Sequence, residues 1–163
     1  MTMSRFEPAE QQVYDMVFSV MKSGFPHLDQ SVFHIVWDTK KRASGGKLVV
    51  ARIQKTNDLL RHLTLTNDMV EADYILYLDK LVFEHISELD KVRVIRHELQ
   101  HCDVDFEKKA PYGIRDHEIT DFFEEIQKNA DDPRWCERVD TIAESLYDKE
   151  ESGEPVEEEK EEN

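Results

Sequence analysis

The segment His97-Glu98-Leu99-Gln100-His101 sets two imidazoles four residues apart, with a carboxylate directly after the first. On an α-helix of 3.6 residues per turn, positions i and i+4 lie about 40° apart, so both rings project from one face and can share one ion. Glu98 is turned about 100° from His97, within reach of a water on that ion without being a ligand itself. Two imidazoles to hold a metal and a carboxylate to accept a proton are what a zinc hydrolase needs.

A catalytic zinc site usually takes a third protein ligand and keeps a fourth position open. His117 offers the ligand type that suits zinc, and Ala110-Pro111-Tyr112-Gly113 gives the chain a turn through which to return toward His101. Asp121, four residues beyond His117, and Glu118, adjacent to it, compete for the role. The groups that do not ligate would orient the imidazoles through their other ring nitrogen. Tyr112 is either a hydroxyl for a developing oxyanion or a packing residue at a turn. Arg115 is either a partner for a carboxylate near the metal or a surface residue in a first helical turn. His27, His34, His62 and His85 lack ligand-like spacing and are expected to be structural or solvated.

The elements that must position these groups read as a helix, strands and further helices. Val13, Met16, Val17, Val20 and Met21 recur on one face of a first helix, closed by Gly24 and Pro26. Phe33, Ile35 and Trp37 alternate with more polar neighbours as a strand, and a second strand over 47–54 follows Gly45-Gly46, a pair suited to a hairpin. Tyr74-Ile75-Leu76-Tyr77-Leu78 gives a third strand. Ser87-Glu88-Leu89-Asp90 then opens the motif helix with a capping-box-like start, and Leu89, Val92, Ile95, Leu99 and Cys102 form its buried stripe. That spacing puts the histidine motif mid-helix. A further helix is expected from about Asp116 with Ile119, Phe122, Phe123 and Ile126 inward. Asp132-Pro133 opens a last one carrying Val139, Ile142 and Leu146.

The 163 residues suit one domain with its own core, and 36 acidic against 21 basic side chains give a net charge of −15. From Glu150 onward the chain holds eight Glu and one Lys, so 1–149 is expected to be the domain and 150–163 a disordered acidic tail. An acidic chain is poorly suited to neutralising phosphates, so no direct nucleic-acid partner is expected. The one basic cluster, Lys40, Lys41 and Arg42, reads as a solvated hairpin tip. No apolar stretch approaches the roughly 20 residues of a membrane span, and the start lacks the apolar core of a signal peptide. A cytoplasmic location with no membrane partner follows as the expectation, and Cys102 and Cys136 are expected to be free thiols.

The motif helix, followed by Tyr112-Gly113-Ile114-Arg115-Asp116-His117-Glu118-Ile119-Thr120-Asp121-Phe122, resembles the phage metallopeptidase family. That family's pattern is a HELxH helix and then a Tyr-x-Leu-Arg-x-His-Asp-Val-x-Glu/Asp-Phe helix start. The similarity runs from the strand around Trp37 to about Ile126 and is most specific in the two motif segments. Glu118 stands where the family more often has Asp, and the tail after Tyr147 has no counterpart. The resemblance implies an α+β fold: a zincin-like metallopeptidase domain related to minimal gluzincin and SprT-like domains. A small antiparallel or mixed sheet would pack on helices, the active-site helix carrying HExxH. It further implies Zn2+ as cofactor, His97, His101 and His117 as metal positions, and Glu98 as catalytic base. In zincin folds a strand before the active helix forms an edge for an extended peptide, a role expected here for residues 60–66 or 72–78.

The expected function is therefore a phage zinc metallopeptidase acting on a peptide or protein substrate in the host cytoplasm. The alternative is a non-catalytic phage-encoded binding or inhibitor protein on a zinc-stabilised zincin scaffold, reaching a host protein through its acidic surface.

Overall fold

A computed structural model describes residues 4–66, 70–117 and 121–153. In chain order the elements are β1 (Phe6–Pro8), α1 (Gln11–Gly24), a 3-10 turn (Pro26–Leu28), β2 (Phe33–Asp38), β3 (Ala43–Ser44), β4 (Lys47–Leu48) and β5 (Ala51–Lys55). They continue with α2 (Asp58–Leu63), β6 (Tyr74–Asp79), α3 (Lys80–Phe83), α4 (Glu88–Gln100), β7 (Cys102–Val104), β8 (Tyr112–Ile114), α5 (Phe123–Lys128) and α6 (Trp135–Ser152). The architecture is α+β. A four-stranded mixed sheet has the order β1-β2-β6-β5, with β2 and β6 parallel and both outer pairs antiparallel.

The patterning of each strand matches its place. β2 alternates, with Phe33, Ile35 and Trp37 buried and His34 and Val36 half-buried. The near-continuous apolar run of β6 fits a central strand covered on both faces, where Tyr74, Leu76 and Leu78 have no solvent exposure. Val17, Val20 and Met21 of α1, Ile95 and Leu99 of α4, and Val139, Ala143 and Leu146 of α6 join them in one core. Each fully buried Leu or Ile stabilises the fold by about 1.5–3 kcal/mol relative to exposure. Tyr14 of α1 accepts the Ile35 N–H through its hydroxyl, and the Trp37 indole donates to Glu10, so α1 is pinned to β2 at both faces of that junction.

Several sequence expectations need correction. Gly45 and Gly46 do form a tight turn, both at positive φ (+58° and +80°), a conformation that favours glycine at each position. Yet that turn joins only β3 and β4, and the strand expected over 47–54 breaks after Leu48. Its second half, β5, pairs with β6, which therefore separates β5 from β2. Neither segment expected at the sheet edge lies there: residues 58–63 are α2, and 74–79 form the central β6. The edge beside α4 is β5.

The helices differ as well. Leu89 is 54% exposed, while Asp90 and Arg93 are buried. The buried face of α4 rotates toward them because Asp90 accepts from Arg93 and Arg138, and Asp132 accepts from the same two guanidinia. α6 begins at Trp135 rather than Pro133, and it continues through Ser152 to an αL Gly153, so the first three residues of the expected tail are helical. Residues 154–163 lie outside the described ones. No helix among the described residues is long and apolar enough to cross a membrane.

Candidate metal centre

Ser87 starts α4 by accepting the Asp90 N–H on its hydroxyl. Thirteen residues later the helix ends at Gln100 with His101 as its C-cap, so the motif occupies the C-terminal turn and not the middle of the helix. Helical φ/ψ persists at His101, which keeps the i, i+4 relation, and the His97 and His101 rings lie 5.3 Å apart. The chain then crosses the β7–β8 hairpin and returns His117 to 5.4 Å from the His97 ring and 5.1 Å from the His101 ring. One nitrogen from each of the three imidazoles falls within 4.8 Å of the others, a cluster that could hold a metal ion.

The expected helix from Asp116 is absent at 115–117. Arg115 instead pairs its main chain with His101: its N–H donates to the His101 carbonyl at 2.8 Å, and its carbonyl meets the His101 Nδ1 at 2.6 Å. α5 begins only at Phe123, and Phe123 and Ile126 are exposed while Phe122 is buried. Glu118 and Ile119 lie outside the described residues. Phe122 forms the apolar floor of the site, its ring 5.3, 4.9 and 5.5 Å from those of His97, His101 and His117.

Asp121 takes a supporting position. Its Oδ1 lies 2.6 Å from the His97 Nδ1 and also accepts the Phe122 N–H. An imidazole that donates Nδ1–H to a carboxylate or carbonyl keeps its lone pair on Nε2 for a metal. Asp121 does this for His97 and the Arg115 carbonyl does it for His101, so the donor chemistry fits a metal held by neutral imidazoles. Burial alone would lower the His97 pKa, but the Asp121 hydrogen bond and the nearby Glu98 charge outweigh it and raise it. For His101 burial prevails over the Arg115 carbonyl and the pKa falls. Burial pushes the Asp121 carboxyl up, yet the hydrogen bonds from His97 and the Phe122 N–H bring it below the usual range.

Glu98 is buried against the sheet. Burial pushes its pKa up to about 7 against the opposing pull of His97 and of the nearby Ile53 main-chain N–H. The pairing of β5 explains why this N–H faces away from β6. Val50 accepts from Asp79 and Thr56 donates to Asp73, so even-numbered residues of this segment face β6 while Ala51, Ile53 and Lys55 turn their main-chain groups outward.

Two other expected roles resolve differently. The Tyr112 ring packs edge-on against Tyr74, as a packing residue does. Arg115 reaches the Gln100 carbonyl and side chain and lies over the Phe122 ring at 4.7 Å. Both cysteines are free thiols. Sequence reasoning missed Phe122 as a floor for the imidazoles, Gln100 as a partner of Arg115, and the Ile53 main chain as a neighbour of Glu98. Of these only Phe122 carried a signal, its place directly after Asp121 in the second motif segment.

A comparison with curated proteins and one with solved structures give no match. The family model described as Putative phage metallopeptidase matches residues 4–147, a span that holds the sheet, the three imidazoles, Asp121, Phe122 and most of α6. A match over that much of the chain means that the chain belongs to the phage metallopeptidase family.

Proposed function

We propose that this protein is a zinc-dependent peptidase of zincin type that hydrolyses peptide bonds of a peptide or protein substrate in the host cytoplasm. His97, His101 and His117 would hold the zinc, and Glu98 would be the catalytic base. The observation that carries the reading is the convergence of three imidazole nitrogens within 4.8 Å, with the outer nitrogens of His97 and His101 already engaged by Asp121 and Arg115. When bound, zinc supplies Lewis acidity for carbonyl polarisation and water activation.

The chain's own residues do the rest. Glu98 takes a proton from the attacking water on its carboxylate and returns it to the leaving amine. A base works best with a pKa near the operating pH, and burial at the sheet edge brings Glu98 there. Asp121 keeps the His97 Nδ1 protonated and fixes its ring, while Phe122 excludes water from beneath the imidazoles. The outward main-chain groups of Ala51, Ile53 and Lys55 offer an extended substrate a strand to pair with beside that base.

Glu98→Gln tests the assignment, because it keeps size and hydrogen bonding but cannot take a proton. Cleavage of a peptide that the zinc-loaded wild type cuts should fall by about 10²–10⁴-fold with zinc retained. Full cleavage by the variant would refute Glu98 as base.

A further inference from the structure

We propose that Gln100 is a positioning residue of the metal centre, acting through Arg115 to set His101 and His117 relative to each other. The proposal rests on the reading of the three imidazoles as a zinc site. Gln100 is only 5% exposed. Its main-chain carbonyl stands at the end of α4, where helix carbonyls lack partners in the helix, and Arg115 Nε donates to it at 2.6 Å. Arg115 Nη2 donates to the Gln100 Oε1 at 2.7 Å, so the guanidinium grips this one residue with both arms of its fork. A cation at that helix end is also favoured by the helix dipole.

The other end of the Gln100 amide is equally committed. Its Nε2 donates to Glu125 Oε1 at 3.1 Å and to Glu124 Oε2 at 3.2 Å. Glu125 has no solvent exposure and is itself held by Arg96 at 3.1 Å. The position therefore requires an acceptor toward Arg115 and a donor toward Glu125, and a neutral amide supplies both.

What this brace holds is the third ligand. His117 itself and the described residues between Ile114 and Phe123 belong to no helix or strand. Two residues before it, Arg115 is bound to α4 by its side chain through Gln100 and by its main chain through His101. Loosening the Gln100 grip frees both the carbonyl that orients the His101 ring and the strand of chain that delivers His117.

The test is a zinc competition titration against a chromophoric chelator, on the full chain and without peptide, paired with thermal midpoints of zinc-loaded and zinc-free protein. Gln100→Leu keeps the bulk and removes both polar ends. Its zinc affinity should fall by about 10–100-fold, the range for lost partners of metal ligands, and the gap between the two midpoints should narrow. A merely structural role would lower both midpoints together and leave the gap as it was. Gln100→Glu brings a third carboxylate against Glu124 and Glu125 and should also weaken zinc. Adding Glu125→Gln reverses the donor and acceptor and should recover most of the lost affinity. Wild-type affinity and gap in Gln100→Leu, or a double variant no better than Gln100→Glu alone, would overturn the brace. A wild type that binds zinc but cleaves nothing would count against the peptidase reading alone, and a wild type that binds no zinc would overturn both.

Discussion

The two ends of α4 both gather charged and polar side chains, but they do opposite things with them. At the N-terminal end Asp90, Asp132 and, at 3.7 Å, Asp131 face Arg93 and Arg138, and these ion pairs tie α4 to α6. At the C-terminal end Asp121 and the Arg115 carbonyl each meet the Nδ1 of one motif imidazole, and one nitrogen from each of His97, His101 and His117 lies within 4.8 Å of the others. A polar cluster of paired opposite charges ties helices together, whereas three imidazole nitrogens gathered in one place could hold a metal ion.

Breaking the N-terminal end should cost the fold most. Asp90→Ala takes a buried carboxylate from both Arg93 and Arg138 and leaves them Asp132 and Asp131, so loss of about 3 kcal/mol, the low end for a broken buried pair, is expected, read as a lower denaturant midpoint. The zinc affinity of the folded fraction should stay unchanged. At the C-terminal end, Asp121→Asn should weaken zinc by about 10–100-fold, or roughly 1.4–2.8 kcal/mol of binding free energy, with little change in the zinc-free midpoint. If the two variants gave the same pattern, the contrast between the ends would fail.

Acid should separate the ends too. Burial pushes the Asp90 carboxyl up, but hydrogen bonds from Arg138 and Arg93 hold it below its ordinary value; Arg138 also lowers Asp132. Their stabilisation is complete above the unfolded aspartate pKa of about 3.9 and is lost only as pH falls below that. Imidazoles must be neutral to ligate, so zinc should leave as pH drops through about 6. A pH titration followed by zinc release and by circular dichroism should show two separate steps, zinc first. A single joint step would contradict this order.

The smallest effect tests the helix phase. Leu89→Ala should change stability by no more than about 0.5 kcal/mol, since Leu89 is solvent-exposed. Leu99→Ala, at a fully buried position, should cost about 2–5 kcal/mol.

These residues also show what the sequence could reveal. That His97 and His101 share one helix face was legible because i, i+4 spacing is local and follows from helix geometry alone. That His117 comes back beside them was suggested by its distance along the chain and by the turn before it. The core faces of α1, β2 and β6 followed from their periods. The phase of α4 did not, because a paired Asp90 and Arg93 took the buried place that hydrophobicity assigned to Leu89. Strand order was hidden for a similar reason: nothing between Gly46 and Gln54 announces that β6 will insert between β2 and β5. The grip of Arg115 on Gln100 joins residues 15 apart in sequence across the β7–β8 hairpin, and no local pattern announces it.

The central claim is that three histidines brought together from α4 and the segment after β8 hold one zinc ion. Zinc content by mass spectrometry after exhaustive dialysis tests it most directly. The account predicts one zinc per chain in the wild type and loss of that zinc on either His101→Ala or His117→Ala, with both variants still folded. A wild type that retains none, or a His117→Ala variant that retains as much as the wild type, would contradict it.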